Sequence, residues 1–135
     1  MLDEFPRLKH MPPVEKALVA GAGYGIRLWM FAQDYGQLKE AYPNAEGMLT
    51  NCAVQTFMSV PLNSELAQKL SDMLGYREGP LDTARVKLLE PLELAGPKFR
   101  DLALVVGTNT KPLKVRKAFA FQDPALRARM PAELL

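Results

Sequence analysis

Ile26-Arg27-Leu28-Trp29-Met30-Phe31-Ala32 is a nearly continuous apolar run of strand length. A run with so little polar alternation predicts a strand covered on both faces, as in a parallel sheet. Upstream, Gly21, Gly23 and Gly25 separate it from a helix, since glycine accepts the left-handed C-cap. That helix opens at Pro12-Pro13, because proline suits the first turn. It carries Val14, Ala17, Leu18 and Gly21 three or four apart in one stripe. Before it stands Leu2-Asp3-Glu4-Phe5-Pro6, read as the tip of a second strand. Strand, helix and strand imply a right-handed crossover, which brings the carboxyl ends of both strands to one edge.

Asp3 and Glu4 fall at one of those ends and Gln33 at the other, and ligands of open α/β sheets bind beyond such ends. An acidic pair beside an amide is how ATP-driven motors hold Mg²⁺ and sense a γ-phosphate. Asp3 would hold the metal, directly or through water. Glu4 would orient and deprotonate the attacking water, and the Gln33 amide can touch both water and phosphate. Such a pair normally follows about five apolar residues, yet only Met1 and Leu2 precede Asp3. The expectation is a chain that begins partway through a larger protein.

Downstream, Gln33 to Gly36 reads as a turn, with Asp34 capping a short helix from Gln37 to Tyr42. Cys52 to Met58 reads as a third strand. Asn63 or Ser64 caps the clearest helix, with Leu66, Leu70, Met73 and Leu74 on one face and Gly75 at its end. Tyr76 to Lys87, polar and holding Gly79-Pro80, reads as a loop, and Leu88 to Leu94 as a helical turn. Leu102 to Val106 is a fourth strand. Gly107 to Thr110 turns the chain into an antiparallel edge strand from Leu113 to Phe121, with Val115, Phe119 and Phe121 on one face. Asp123-Pro124 breaks that strand, and Ala125 to Leu135 reads as a polar helical tail. The fold expected is one α/β domain over 1–135: a mainly parallel sheet with helices on both faces, closed by a C-terminal β-hairpin.

The totals suit that reading. With 135 residues the chain can bury a real core. Hydrophobic content of 48% and a net charge of +2 single out no partner. One cysteine, Cys52, excludes an internal disulfide, and no apolar run reaches the 18 residues that would span a membrane.

LDEFPRL, then GAGYGIRLWMFAQDYGQL at this spacing, then Thr50-Asn51-Cys52, resemble the TraG/TraD-type coupling proteins of conjugation and type IV secretion. The likeness extends more weakly through LAQKLSDMLG, the ALVVG hairpin and Phe121-Gln122-Asp123-Pro124. The resemblance implies a hexameric, membrane-anchored ATPase of RecA-like P-loop NTPase fold, at the cytoplasmic face of the bacterial inner membrane. It implies ATP and Mg²⁺ as cofactors, with Asp3-Glu4 as the Walker B pair and Gln33 as the sensor. Its partners would be the relaxase and an accessory protein of the relaxosome, single-stranded DNA and the secretion channel. Two departures stand out. No G-x-x-x-x-G-K-[ST] phosphate loop occurs here, so the chain would be only the C-terminal part of the motor. Where some relatives carry an arginine finger, this chain reads Ala20-Gly21-Ala22-Gly23, and the nearest arginine, Arg27, lies in the strand.

Two rivals stand beside the motor: a docking module for an accessory protein or effector without hydrolysis of its own, and a metal-dependent nuclease using Asp3, Glu4 and Asp34 or Asp101. His10, the only histidine, reads as a surface residue. Cys52 reads as a small buried hydrophobe, and Trp29 and Phe31 as core. Lys111, Lys114, Arg116 and Lys117 could meet DNA phosphates, but basic residues also guard an edge strand against pairing, and that reading is preferred.

Overall fold

Why the chain folds in two halves is visible from its packing. In a computed structural model that describes residues 1–62, 64–79 and 85–131, it divides into two compact units, Met1–Gln55 and Thr56–Leu135.

The first unit is helical. A 3₁₀ turn covers Phe5–Leu8, and α1 runs Pro12–Ala20 with both prolines in its first turn. A second 3₁₀ turn, Gly21–Tyr24, ends at Gly25, whose φ of 71° lies where an L side chain is strained. After the extended segment 26–33 come α2 (Tyr35–Ala41) and α3 (Ala45–Asn51). Asp34 caps α2, its Oδ1 accepting the Gly36 N–H at 2.9 Å. The core is Phe5, Val14, Tyr35, Leu38, Tyr42, Ala45 and Met48, all buried. Tyr42 is its centre. Its ring lies 5.4 Å from those of Phe5 and His10, and its hydroxyl accepts the Met11 N–H at 3.3 Å, so the buried phenol is not left unpaired.

The second unit packs α4 (Glu65–Leu74) and α5 (Pro91–Leu94) on a three-stranded sheet. The sheet takes β1 (Val54–Phe57), β4 (Leu102–Gly107) and β5 (Leu113–Arg116) in the order β1–β4–β5. Its core is Leu70, Leu94, Phe99 and Leu104, with Phe57, Leu66 and Val106 against them. Ser64 caps α4 by accepting the Ala67 N–H at 3.1 Å. Ser71, fully buried in the same helix, donates to the Leu89 carbonyl at 2.7 Å. A two-stranded ribbon, β2 (Tyr76–Glu78) with β3 (Arg85–Lys87), completes the unit. Asp123 caps a final short helix, α6 (Pro124–Arg127).

The class is α/β, but the mainly parallel arrangement is corrected. β4–β5 is the antiparallel C-terminal hairpin expected from the sequence, and β2–β3, which was not expected, is antiparallel too; both connections are short, and a parallel pair needs a crossover of a dozen or more residues. Parallel pairing between the first two segments is a single bridge, Leu2↔Met30. The segment 26–32 is not covered on both faces. Ile26, Trp29 and Phe31 are 50%, 70% and 42% exposed, so Trp29 and Phe31 are not core. The described backbone bonds of Trp29 and Phe31 run to residues 2–5 on one side, and a parallel strand needs neighbours on both sides to bury such a run.

Three smaller corrections follow. Tyr76 to Lys87 is not a loop at its ends. β2 and β3 are three residues each, too short and too charged to show alternation, and they pair antiparallel with Tyr76 opposite Lys87 and Glu78 opposite Arg85. Residues 80–84 lie outside the described residues, as does Asn63, the alternative cap of α4, and 132–135 of the expected tail. α3 went unread although Ala45 and Met48, both buried, stand three apart. The last strand stops at Arg116, so Phe119 and Phe121 fall outside it.

Leu70 is 1% exposed at the centre of its cluster. Leu70→Ala is expected to lower stability in denaturant unfolding by about 2–5 kcal/mol. Leu92→Ala, at a residue 67% exposed, should stay within about 0.5 kcal/mol.

Candidate functional site

Three backbone hydrogen bonds lay the first residues beside the extended segment. Leu2 N–H donates to the Trp29 carbonyl at 2.7 Å, Phe31 N–H to the Leu2 carbonyl at 2.9 Å, and Phe5 N–H to the Phe31 carbonyl at 3.0 Å. Between Leu2 and Phe5 the chain makes a sharp step. Asp3 Oδ1 accepts the Glu4 N–H at 3.1 Å, and Glu4 adopts the left-handed conformation, φ 43° and ψ 39°. A non-glycine residue there costs about 1–2 kcal/mol. Such strain persists only where the surroundings over-determine it. Here the bond to Phe31 and the burial of Phe5 and Pro6 do so.

The step leaves both Glu4 carboxylate oxygens partnered. Gln33 Nε2 donates to Oε1 at 2.8 Å, and Arg7 Nη1 lies 2.7 Å from Oε2. Gln33 is placed from both sides: Phe31 is pinned to Leu2 and Phe5, and Asp34 caps α2 immediately after it. Arg7 is presented by the 3₁₀ turn, one turn beyond Glu4. The ion pair is solvated, with the Arg7 side chain 67% and the Glu4 side chain 37% exposed, so it contributes at most about 1 kcal/mol to stability. Its effect is geometric. Each oxygen accepts one bond and keeps a second lone pair, so the carboxylate is oriented without being used up.

Of the residues singled out in the sequence, the structure brings Glu4 and Gln33 into direct contact and sets Asp3, exposed, beside Glu4. Asp34 serves its cap. Asp3 and Glu4 are the adjacent carboxylates available to a cation, and among the described residues no group of three or more His, Cys, Asp or Glu side chains gathers about one point. Arg7 was missed. Its signal was the Glu4-x-x-Arg7 spacing, which one helical turn brings together. His10 is at the surface as expected, its Nε2 3.0 Å from Glu15 Oε2. With Arg7, Lys9, Gln37 and Glu40 it lines an open depression. Of the basic run, Lys111, Lys114 and Arg116 are exposed, while Lys117 Nζ donates to the Arg100 carbonyl at 2.7 Å.

An α/β protein with a glutamate and a glutamine clasped at adjoining segment ends is thus defined. Residues 1–87 match the family described as the TraM recognition site of TraD and TraG. The chain belongs to that family, the C-terminal part of TraG/TraD-type coupling proteins. It is similar to two curated Escherichia coli proteins, each called conjugal transfer protein TraG, at 38% identity over 78 residues. The match covers 56% of this chain and 12% of the length of each relative. Among the described residues no helix is long and apolar enough to cross a membrane.

Cys52 is half-buried and its thiol donates to the Met48 carbonyl at 3.3 Å. Burial pushes its pKa above the ordinary thiol value. A raised pKa leaves less thiolate at any given pH. Alkylation of the folded chain at pH 8 should therefore run slower than alkylation of the same chain in denaturant, as followed by mass spectrometry.

Proposed function

We propose that this chain is the C-terminal part of a conjugative coupling ATPase, and that it receives a relaxosome accessory protein of the TraM kind. The observation that carries the proposal is the family match over residues 1–87. The whole coupling protein would be a RecA-like hexamer, anchored at the cytoplasmic face of the bacterial inner membrane. It would drive relaxase-bound single-stranded DNA or protein into the type IV secretion channel.

The clasped carboxylate supports the hydrolytic half of this reading. Mg²⁺ is held by one or two carboxylates, water and phosphate oxygens rather than by an all-protein cage, and Asp3 beside Glu4 is a donor set of that size. When bound with ATP, the ion neutralises charge developing on the phosphates. Asp3 would hold it, directly or through water. Glu4, oriented by Gln33 and Arg7, would accept the proton of the attacking water. The Gln33 amide would bridge water and γ-phosphate. The cradle for the phosphates would come from a loop outside this sequence.

The purified chain should release phosphate from ATP only at background, since it has no such loop; turnover abolished by Glu4→Gln would refute this. In the whole coupling protein Glu4→Gln should lower turnover by 10²–10⁴-fold, the usual loss of a positioned general base, while ATP binding survives. Turnover within about threefold of wild type, well short of that range, would remove Glu4 as the base.

The rival docking reading without hydrolysis is favoured by the family description alone, and calorimetric titration of the chain with TraM tests it. Binding at micromolar concentration, unchanged by Glu4→Gln, is expected under both readings; no binding overturns the docking role. The nuclease reading needs converging carboxylates. Asp34 is committed to Gly36, and no such cluster exists among the described residues.

A further inference from the structure

We infer that Arg7 is a positioning residue for Glu4, one of two arms of a clamp whose other arm is Gln33. The inference rests on the proposed hydrolytic role of Glu4 and deepens it. Three independent features of the structure converge on it. The first is contact: Arg7 Nη1 meets Glu4 Oε2 at 2.7 Å while Gln33 Nε2 meets Oε1 at 2.8 Å. Each oxygen has its own holder, approaching from a different stretch of chain.

The second is backbone strain on both sides of Arg7. The turn that carries it, Phe5–Leu8, is bracketed by two non-glycine residues with positive φ, Glu4 at 43° and Lys9 at 60°. Two strained residues around one short turn indicate that its placement is imposed by the fold and not by local preference. The turn closes on itself through Arg7 N–H to the Glu4 carbonyl at 2.9 Å and Lys9 N–H to the Pro6 carbonyl at 3.1 Å.

The third is the division of labour within the turn. Phe5 and Pro6 are buried and anchor it, Phe5 against the ring of Tyr42. Arg7, the next residue, is exposed and reaches back to Glu4. A solvated ion pair of this kind adds little to stability, so holding the turn together is not its consequence. What it does is remove rotational freedom from the Glu4 side chain. A carboxylate that must accept a proton from one particular water loses rate steeply with small misplacement. An arginine serves here better than a lysine because its planar fork meets a carboxylate in a defined direction.

The test is steady-state kinetics on the whole coupling protein, joined to a side-chain probe that needs no turnover. Arg7→Ala is expected to lower kcat roughly tenfold and to leave the KM for ATP within about twofold, because a positioning group acts on the chemical step and not on uniform binding. Arg7→Lys should recover only part of the loss, since it restores the charge without the planar fork. In the 135-residue chain, the Gln33 side-chain amide resonances in a ¹⁵N spectrum should move on Arg7→Ala, while the backbone amides of Leu38 and Tyr42 stay in place. A kcat unchanged by Arg7→Ala, in a protein that Glu4→Gln inactivates, overturns the inference and leaves the hydrolytic reading standing. A KM that rises in step with the loss of rate overturns it too, since Arg7 would then be binding nucleotide. If Glu4→Gln retains turnover, both fall together.

Discussion

The parallel bridge between Leu2 and Met30 is the constraint on which the site depends. It consists of two hydrogen bonds, with the Phe5–Phe31 bond as a third beyond it. Remove it and nothing in the local sequence holds Asp3 and Glu4 next to the end of the 26–32 segment, since Glu4 is twenty-nine residues from Gln33 along the chain. With it in place, the remaining geometry follows. The segment must turn away at Gln33, where Asp34 caps α2. The first strand must turn away at Glu4, where the next residues drop into the core against Tyr42. Two chain ends diverging from one bridge leave two side chains facing each other across the gap.

Glu4 shows how a small energy can be set against a specific placement. The left-handed backbone is unfavourable by an amount comparable to what one exposed ion pair and one exposed hydrogen bond return. The step is therefore near neutral for stability and is kept in place by the buried residues on its C-terminal side. That is the pattern of a locally inconsistent residue compensated by its neighbours, which is expected at functional positions and uncommon elsewhere.

What the sequence made legible depended on how local the cause was. The caps at Asp34 and Ser64 and the stop at Gly75 are decided within four residues, and each was readable. The contact of Glu4 with Gln33 was legible for a different reason, since one crossover between two parallel segments leaves few other places for their ends. Sheet direction was legible only in part. The turn from Gly107 to Thr110 marked the antiparallel β4–β5 hairpin, but the alternation of strand and helix suggested crossovers elsewhere, and the antiparallel pairing of β2 with β3 went unread. Burial of Trp29 and Phe31 was misread because hydrophobicity states what a side chain prefers, while burial depends on what lies beside it. Arg7 was overlooked because a charged residue three positions from a glutamate is common on any helical turn. Only the strained backbone at Glu4 distinguishes this one.

The exposure of Trp29 has an optical side. It is the only tryptophan in the chain, it is 70% exposed, and its carbonyl receives the Leu2 N–H that begins the bridge. Its ring stands edge-on to Phe31, with centroids 6.2 Å apart. The indole is thus a single tryptophan fluorophore on the same segment that orients Gln33. A solvent-facing indole emits at the red end of its range, and a surface laid over it shifts that emission to the blue. The protein carries its own spectroscopic label where the backbone pairing of the site begins, and whatever covers that face announces itself in the colour of one residue.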